Sequence, residues 1–361
     1  MLPSNEVTLG RHSMRQYLWF WLSSPARRTD FIGGGMNSMS VHLSENRRDR
    51  EAFGSEISQA RRELVAGLSQ KAARIAPKYF YNGLGSRLFE AICLTDEYYV
   101  TRAEAEIFAT HAGAISAAAG TQPTLIDLGA GNGAKAARLF STLRPRQYVA
   151  VDISVEFLEQ AVGRLQAEYP HIPMLTVGAD FSENFALPGD VETSRRLLFY
   201  PGSSIGNFTP LEAVQCLRRF RAACGDDGAL LIGVDLVKAS PLLEAAYDDA
   251  LGITAAFNLN VLRHVNALLH SDFDVGHWRH RAHFNEDQSR IEMHLEATKT
   301  QLVTWPGGAR HFVRGERIHT ENSYKFTQRG FTTMLAQSGF EVTHCWTDAA
   351  QRFLVCYARA Q

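Results

Sequence analysis

The sequence predicts an α/β fold: a seven-stranded, mostly parallel sheet combined with an α+β region that is discontinuous along the chain. Two observations carry this prediction. Short apolar runs alternate with helical segments from residue 124 onward, and several of these runs lead into a glycine, an acid or an amide. In addition, roughly 90 residues separate the fifth apolar run from the last helical one, far more than an ordinary connection needs.

The first strand, Thr124–Leu128, ends in a turn that contains three glycines, and helical spacing begins at Ala134. Gly129, Gly131 and Gly133 let a ligand approach the backbone because they carry no Cβ atom. Their spacing is G-x-G-x-G, which differs from the G-x-G-x-x-G fingerprint of dinucleotide-binding proteins. This stretch alone therefore fits a cofactor turn and an ordinary tight turn equally well.

The four strands that follow also lead into polar residues. Asp152 ends the second strand, Tyr148–Val151, about 20 residues beyond the glycine turn, where a carboxylate can bind both ribose hydroxyls of an adenosine. The other three are Met174–Val177 before Asp180 and Phe181, Arg196–Tyr200 before Gly202 and Asn207, and Ala229–Val234 before Asp235. Because open parallel sheets bind ligands at the carboxyl ends of their strands, we expect these residues to share one site.

Two Thr-x-x-Glu sequences predict helix starts. Thr101 and Glu104 form one capping box, and Thr209 and Glu212 form the other, with Pro210 at the first helical position. The first helix should lead into the sheet, and the second should follow the fourth strand.

The chain ends in a predicted helix, Thr327–Ser338, and two strands, Phe340–Trp346 and Arg352–Tyr357. A parallel sheet that closes with such a hairpin is typical of S-adenosylmethionine-dependent methyltransferases rather than dehydrogenases. The fold class predicted is therefore a Rossmann-like, seven-stranded class I methyltransferase core with a discontinuous α+β substrate-binding domain.

The long insertion has secondary structure of its own. Residues Leu242–Leu269 are mostly helical, and Trp278–Phe284 and Arg290–Ala297 predict a hairpin with one buried face, because apolar and polar side chains alternate. The predicted substrate-binding domain comprises residues 46–102 and 238–324, and the S-adenosylmethionine-binding domain comprises residues 103–237 and 325–361.

Residues 1–45 are predicted to be a disordered or untranslated tail. The apolar run Tyr17–Leu22 is about six residues long, shorter than the core of a secretory signal. Gly33–Gly35 could be a ribosome-binding site read as codons, so we expect synthesis to begin at Met36 or Met39. The sequence contains no run of about 20 apolar residues that could cross a membrane.

Composition excludes some functions. A net charge of −1 and an isoelectric point near 6.9 argue against nucleic-acid binding, which usually needs a clustered basic face. The five cysteines include no C-x-x-C pair, which indicates reduced thiols in a cytoplasmic protein. His277, His280 and His283 could suggest a metal site, but on an alternating strand His280 points away from the other two, so we expect no metal.

Seven short motifs occur in order from residue 79 onward: Tyr79–Tyr81, Glu97–Glu104, Gly202–Asn207, Asp235–Lys238, Ala246–Asp249, Arg290–Met293 and Glu321–Ser323. Together they resemble the histidine Nα-methyltransferases of ergothioneine biosynthesis, and the resemblance extends from about residue 60 to the C-terminus. It implies that S-adenosylmethionine donates three methyl groups to the α-amino group of L-histidine, giving hercynine. This family also contains fungal enzymes that methylate tryptophan derivatives.

The resemblance implies a role for each matched residue. Tyr81 and Gly202 would lie beside the reacting amino nitrogen, and Met293 would pack against the imidazole ring. The other substrate-binding residues would be Tyr98, Asn207 and Tyr247 at the carboxylate, and Glu321 and Ser323 at the imidazole nitrogens. S-adenosylmethionine would be bound by Tyr81, Gly129, Gly131, Lys135, Asp152, Asp180 and Phe181.

The chemistry of these side chains agrees with their implied roles. Glu321 and Ser323 stand two residues apart, so on an extended segment they face the same side. A hydrogen bond between an imidazole N–H and a glutamate carboxylate contributes about 1.5–3 kcal/mol, which favours histidine over an apolar analogue more than tenfold. Neutral anchors at the substrate carboxylate suit an amine that must lose its proton. The reaction would be an in-line displacement that depends on holding nitrogen, methyl and sulfur collinear.

Two other functions stay open from the sequence. The methyl acceptor could be another aromatic amino acid or amine, although Glu321 argues against an indole. The chain could also be a non-catalytic module that binds S-adenosylmethionine and a partner protein, although Asn207, Tyr247 and Glu321 would then have no substrate to bind. We expect a monomer that binds neither nucleic acid nor a membrane.

Overall fold

The structure is a computed structural model, and it describes residues 57–180 and 186–361. The predicted tail, residues 1–45, and the predicted cofactor residue Phe181 lie outside these ranges, so the expectations about them stay predictions. The described strands are β1 (Thr124–Leu128), β2 (Gln147–Asp152), β3 (Met174–Gly178), β4 (Arg196–Tyr200), β5 (Ala229–Asp235), β6 (Trp278–Asn285), β7 (Arg290–Ala297), β8 (Gln301–Trp305), β9 (Gly308–Phe312), β10 (Arg317–Tyr324), β11 (Phe340–Thr347) and β12 (Phe353–Ala360).

Seven of these strands form one sheet with the order β11-β12-β5-β4-β1-β2-β3. The pairs among β1 to β5 are parallel, whereas β12 runs antiparallel to both β5 and β11. This arrangement confirms the predicted Rossmann-like methyltransferase core. Strand β1 lies between β4 and β2, so the order of the chain reverses there and the glycine turn after β1 opens at the switch point, where such sheets bind ligands.

The described helices are α1 (residues 57–68), α2 (Gly83–Ile92), α3 (Val100–Ala119), α4 (Ala134–Leu143), α5 (Val155–Glu168), α6 (Pro210–Cys224), α7 (Ser240–Tyr247), α8 (Ile253–Leu269) and α9 (Gln328–Gln337). Helix α3 packs on β5, β11 and β12, helix α5 packs on β2 and β3, and helix α6 packs on β4 and β5. The connecting helices therefore cover the sheet and leave the carboxyl ends of its parallel strands for the site.

The two predicted capping boxes have different outcomes. The Thr209–Glu212 box is confirmed at the start of α6. The box at Thr101 is wrong, because α3 begins at Val100 and its N-cap residue makes no side-chain cap bond. Glu104 does not cap the helix because its side chain is buried, with 1% of the residue exposed, and it pairs with Lys135.

The remaining strands form two small antiparallel sheets, β10-β7-β6 and β8-β9. The predicted hairpin β6–β7 is confirmed, and one face of β7 buries Ile291 and Met293. The expected single buried face is wrong for β7, because arginines pair with Glu292 and Glu296 and these glutamates are buried on the other face. Ile291 and Met293 belong to the same hydrophobic cluster as Phe257 of α8 and as Leu125 and Phe199 of the large sheet. The predicted domain boundaries stay a prediction, and the core is continuous between the elements on either side of them.

Strand β10 contains a bulge that determines which side chains face this core. Its register with β7 shifts between His319 and Glu321, so that Glu321 lies opposite Met293 and Ser323 lies opposite Ile291. A regular strand would have turned Glu321 and Ser323 to the other face, since a one-residue slip reverses every side chain. The bulge therefore places both residues on the apolar, inward side of the sheet.

Buried polar side chains support the bulge. The hydroxyl of the extra residue, Thr320, lies 2.9 Å from Asn258 Oδ1 and 3.0 Å from the Met293 carbonyl oxygen. The Asn258 side-chain amide donates to the His294 carbonyl oxygen at 3.1 Å and lies 2.8 Å from Nδ1 of His280. Helix α8 is thus tied to the irregular part of the sheet by hydrogen bonds as well as by apolar contacts.

Candidate active site

The turn after β1 is built on backbone conformations that favour glycine. Gly129, Gly131 and Gly133 have φ angles of 69°, 54° and 70°. The Gly131 N–H donates to Oδ2 of Asp152 at 3.0 Å, and the Ser154 N–H donates to Oδ1 at 2.9 Å. The carboxylate that the sequence assigns to the ribose therefore lies directly against the glycine turn.

Asp180, at the end of β3, is linked to a lysine that the sequence analysis did not single out. Lys78 Nζ lies 3.2 Å from Asp180 Oδ2 and 2.8 Å from Glu63 Oε2. Although burial lowers the pKa of Lys78, the two carboxylates raise it above its usual value. The ammonium thus partly neutralises the acidic residue that the sequence places at the cofactor.

Glu104 connects two predicted site residues. One of its oxygens lies 2.7 Å from Lys135 Nζ, and the other accepts a hydrogen bond from the Gly202 N–H at 2.7 Å. Gly202 has a φ of 81°, and a Cβ atom there would lie 2.7 Å from Lys135 Nζ. The Thr101–Glu104 pattern predicted a helix cap instead of this role, because nothing in the local sequence shows which charged residue is buried.

Three tyrosines that the sequence assigns to the site, Tyr81, Tyr98 and Tyr247, have phenols with raised pKa values. Burial raises the pKa of Tyr81, Tyr98 and Tyr247, and the nearby Glu321 adds to each increase. The negative charge of Asp152 also raises the pKa of Tyr81. The rings of Tyr98 and Tyr247 are 6.2 Å apart and nearly perpendicular. All three phenols therefore stay protonated near neutral pH.

Glu321 is unlike the other acids of the site because its carboxylate has no hydrogen-bond partner among the described residues. Burial raises its pKa to about 8, and the positive charge of Lys325 opposes that increase. Its side chain keeps some exposure, and Met293 lies directly opposite on β7. An unpaired carboxyl group in a low-dielectric setting is poised to bind a ligand with an N–H group.

Ser323 and Tyr247 form a hydrogen-bonded pair beside Glu321. Their hydroxyl oxygens are 2.7 Å apart. Lys325 Nζ donates to both, at 2.7 Å to Ser323 and 3.2 Å to Tyr247, and forms an ion pair with Asp235 Oδ2 at 2.9 Å. The structure thus brings Tyr247 of α7, Ser323 of β10 and Asp235 of β5 together, and adds a buried lysine that the sequence analysis missed.

Asn207 lies in the single-turn 3₁₀ helix Ser204–Asn207 that follows β4. This turn packs against β10, and Gly206 sits so close that a Cβ atom there would lie 2.9 Å from the Tyr324 carbonyl oxygen. The Asn207 side chain makes no hydrogen bond to another residue in the part of the chain that the structure describes. Its amide is therefore available at the carboxyl ends of the parallel strands, where the glycine turn also lies.

Comparison with known proteins identifies the family of this chain. A model of the family described as "Histidine-specific methyltransferase, SAM-dependent" matches residues 60–360. The chain belongs to this family. It is 39% identical over 308 residues to the histidine N-alpha-methyltransferase of Mycolicibacterium smegmatis, covering 84% of this chain and 95% of that protein.

Two further relatives match this chain over very different shares of their own length. The histidine N-alpha-methyltransferase of Mycobacterium tuberculosis is 37% identical, over 81% of this chain and 92% of that protein. The ergothioneine biosynthesis protein 1 of Neurospora crassa is 30% identical, over 74% of this chain and 31% of that protein. In this chain, none of the helices within residues 57–180 and 186–361 is long and apolar enough to cross a membrane.

The histidines that the sequence analysis considered as metal ligands are separated in the structure. His277 precedes β6, and His280 is buried, with its Nε2 lying 2.8 Å from the Tyr247 carbonyl oxygen. Among the described residues, His283 instead joins Glu292 and His294 on the outer face of the small sheet, with ligand atoms within 4.8 Å of one another. The Glu292 carboxylate already accepts hydrogen bonds there, so its charge is satisfied without an ion. The expectation that the enzyme uses no metal stays a prediction.

Proposed function

We propose that this S-adenosylmethionine-dependent enzyme methylates the α-amino group of L-histidine three times and releases hercynine. The observation that carries the proposal is the unpaired carboxyl group of Glu321, opposite Met293 and beside Ser323, on the inward face of β10. A carboxyl and a hydroxyl two residues apart on one strand face suit the two nitrogens of an imidazole. An indole has a single N–H and would leave one of these groups without a partner.

The remaining substrate contacts follow from the positions of the neighbouring elements. Tyr98, Asn207 and Tyr247 would hold the substrate carboxylate with neutral donors. Tyr81, whose pKa both Glu321 and Asp152 raise, would lie beside the amino nitrogen together with the Gly202 carbonyl group. S-adenosylmethionine would extend from the glycine turn, with its ribose at Asp152 and its adenine beyond β3 near Asp180.

The chemistry needs little beyond this positioning. In each round the nitrogen lone pair forms a bond to the methyl carbon while the carbon–sulfur bond breaks and its electrons stay on sulfur. The nitrogen gives up a proton to water before each attack, and the sequence of reactions stops at the trimethylated amine because it has no lone pair. The raised pKa of Tyr81 keeps its phenol neutral, so it orients the amine by hydrogen bonding and does not act as the base.

Mass spectrometry tests the proposal directly. The purified protein is incubated with excess S-adenosylmethionine and L-histidine, and the products are followed over time. We expect successive gains of one, two and three methyl groups on the amino acid. Absence of any gain at saturating concentrations of both substrates would rule out histidine as the acceptor.

The main alternative is methylation of another aromatic amino acid or amine. A panel containing tryptophan, tyrosine, phenylalanine and histamine distinguishes it, because the proposal requires histidine to have the highest kcat/KM. A non-catalytic module would bind S-adenosylmethionine and methylate no member of the panel.

We further propose that the protein acts in the cytoplasm as a monomer, without a metal, a nucleic acid or a membrane. The near-neutral net charge of −1 and the five cysteines, none of them in a disulfide, support this proposal. Size-exclusion chromatography with light scattering measures the mass in solution, and a dimer mass would contradict the monomer.

A further inference from the structure

Two lysines share the carboxylate of Asp235, and only one of them contacts the substrate side. Lys325 Nζ lies 2.9 Å from Oδ2, and Lys238 Nζ lies 2.5 Å from Oδ1. Lys325 also donates to Ser323 and Tyr247, whereas Lys238 donates to the phenol oxygen of Tyr99 at 2.8 Å, away from these hydroxyls. Both lysines therefore form an ion pair with Asp235, but only Lys325 contacts the hydroxyls of Ser323 and Tyr247. Comparing the two lysines distinguishes the effect of the ion pair from the effect of these contacts.

Lys325 determines how the hydroxyl groups of Ser323 and Tyr247 are oriented. Its side chain is fully buried, and its three N–H groups are used by Asp235, Ser323 and Tyr247. Both hydroxyl oxygens therefore accept from the ammonium, and one hydroxyl also donates to the other. One O–H group is left over, and because the ammonium is a donor only, this O–H has to point away from the lysine.

The groups bonded directly to the Asp235 carboxylate give it positively charged surroundings. Two ammonium groups, on Lys238 and Lys325, face one carboxylate, on Asp235, and the Tyr99 phenol that bonds the same carboxylate is neutral. The same charge reaches Glu321, because burial raises the pKa of that carboxyl group and the Lys325 charge opposes the increase. A positive charge behind neutral hydroxyls favours an anionic ligand without offering it a direct ion pair.

We propose that Lys325 is a positioning residue for the amino-acid substrate: its buried ammonium aligns the Tyr247 and Ser323 hydroxyls and provides the positive charge that the substrate carboxylate requires. This inference rests on the proposed function, because it takes the ligand to be free histidine. It also revises the expectation of purely neutral anchors, since the ammonium is hydrogen-bonded to one of them, Tyr247.

The test compares Lys325→Met with Lys238→Met in the full-length protein. Each variant leaves Asp235 paired with one lysine, so each keeps a balanced ion pair in the core. Calorimetry measures the binding of L-histidine and of histamine, which lacks the carboxylate, in the presence of S-adenosylhomocysteine. Binding of S-adenosylhomocysteine itself reports whether the variants are folded.

We expect Lys325→Met to weaken histidine binding at least tenfold and to reduce the preference for histidine over histamine at least fivefold, in line with loss of one charge-assisted interaction. Lys238→Met should change both values less than about threefold. Unchanged histidine binding in Lys325→Met, or equal losses in the two variants, would overturn the inference alone. Failure of the wild-type protein to bind histidine would overturn the proposed function and this inference with it.

Discussion

Two glutamates on neighbouring strands of the small sheet have opposite surroundings. On the outer face, Oε1 of Glu292 accepts hydrogen bonds from Arg290 at 2.6 Å and Asn285 at 3.0 Å, and Oε2 lies 3.0 Å from Nε2 of His294. Although burial raises the pKa of Glu292, the hydrogen bonds from Arg290, His294 and Asn285 lower it to about 2. On the inner face, burial raises the pKa of Glu321 to about 8.

The difference shows how the same chemical group serves structure in one place and binding in another. The Glu292 carboxylate is paired within the protein and stabilises the folded sheet. The Glu321 carboxyl is left unpaired, which costs stability and leaves its hydrogen-bonding capacity for a ligand. Four predictions test this contrast, from the largest expected effect to the smallest.

Replacing the inner glutamate should have the largest effect on the reaction. Glu321→Ala removes the imidazole partner, so the KM for histidine should rise about 10- to 100-fold, while the KM for S-adenosylmethionine changes less than about twofold. Steady-state kinetics with each substrate varied in turn measures both values. Glu292→Ala is the matched control and should leave the histidine KM within about threefold. Equal effects on the two substrates would show that the imidazole pocket lies elsewhere.

The raised pKa of Glu321 predicts a pH-dependent cost in stability. A carboxyl group with a folded-state pKa of about 8 binds its proton more tightly in the folded than in the unfolded protein, so stability falls as pH rises from about 4.5 to 8. Glu321→Gln should therefore gain on the order of 2 kcal/mol of relative stability between pH 5 and pH 8. Denaturant unfolding at both pH values measures this gain. A constant difference from wild type would contradict a raised pKa for this unpaired carboxyl group.

The bulge at Thr320 is the next feature to disrupt. Thr320→Val keeps the shape but removes the hydroxyl that bonds Asn258 or the Met293 carbonyl, and should cost about 1–2 kcal/mol of stability. Because the bulge turns Glu321 inward, the histidine KM should rise about threefold to tenfold. Thr320→Ser retains the hydroxyl and serves as the control. A destabilised Thr320→Val with an unchanged KM would mean that the bulge does not position the carboxyl.

The smallest effect is expected at the outer glutamate, with the opposite pH dependence. Because its folded-state pKa is lowered, Glu292 stabilises the protein above pH 4.5, and this contribution disappears as pH falls towards 2. Glu292→Gln should lose about 0.5–1 kcal/mol of stability at pH 7 and less at pH 3. Unfolding at the two pH values checks the sign. A loss that grows as pH falls would contradict the paired carboxylate.

Much of the large sheet could be predicted because its signals are local. The strand Thr124–Leu128, the glycine turn and the helix start at Thr209 each depend on neighbouring residues, and the structure confirms them. The capping box at Thr101 failed because burial of Glu104 depends on Lys135 and Gly202, which are distant in the sequence. A local sequence pattern does not show whether Glu104 caps the helix or pairs with these distant residues.

The candidate site could be predicted in its residue types but not in its supporting network. The family motifs indicate Glu321 and Ser323, yet the bulge that turns them inward depends on pairing with β7. The role of Lys325 depends on Asp235 and Tyr247, which lie 90 and 78 positions earlier in the chain. Which charged residues become buried depends on tertiary contacts, and a single sequence does not show these contacts.

A crystal structure of the complex with L-histidine and S-adenosylhomocysteine tests the central claim most directly. We expect an imidazole nitrogen within hydrogen-bond distance of the Glu321 carboxyl and the α-amino nitrogen directed at the sulfur atom. An imidazole bound away from Glu321, with that carboxyl facing only water, would contradict the account.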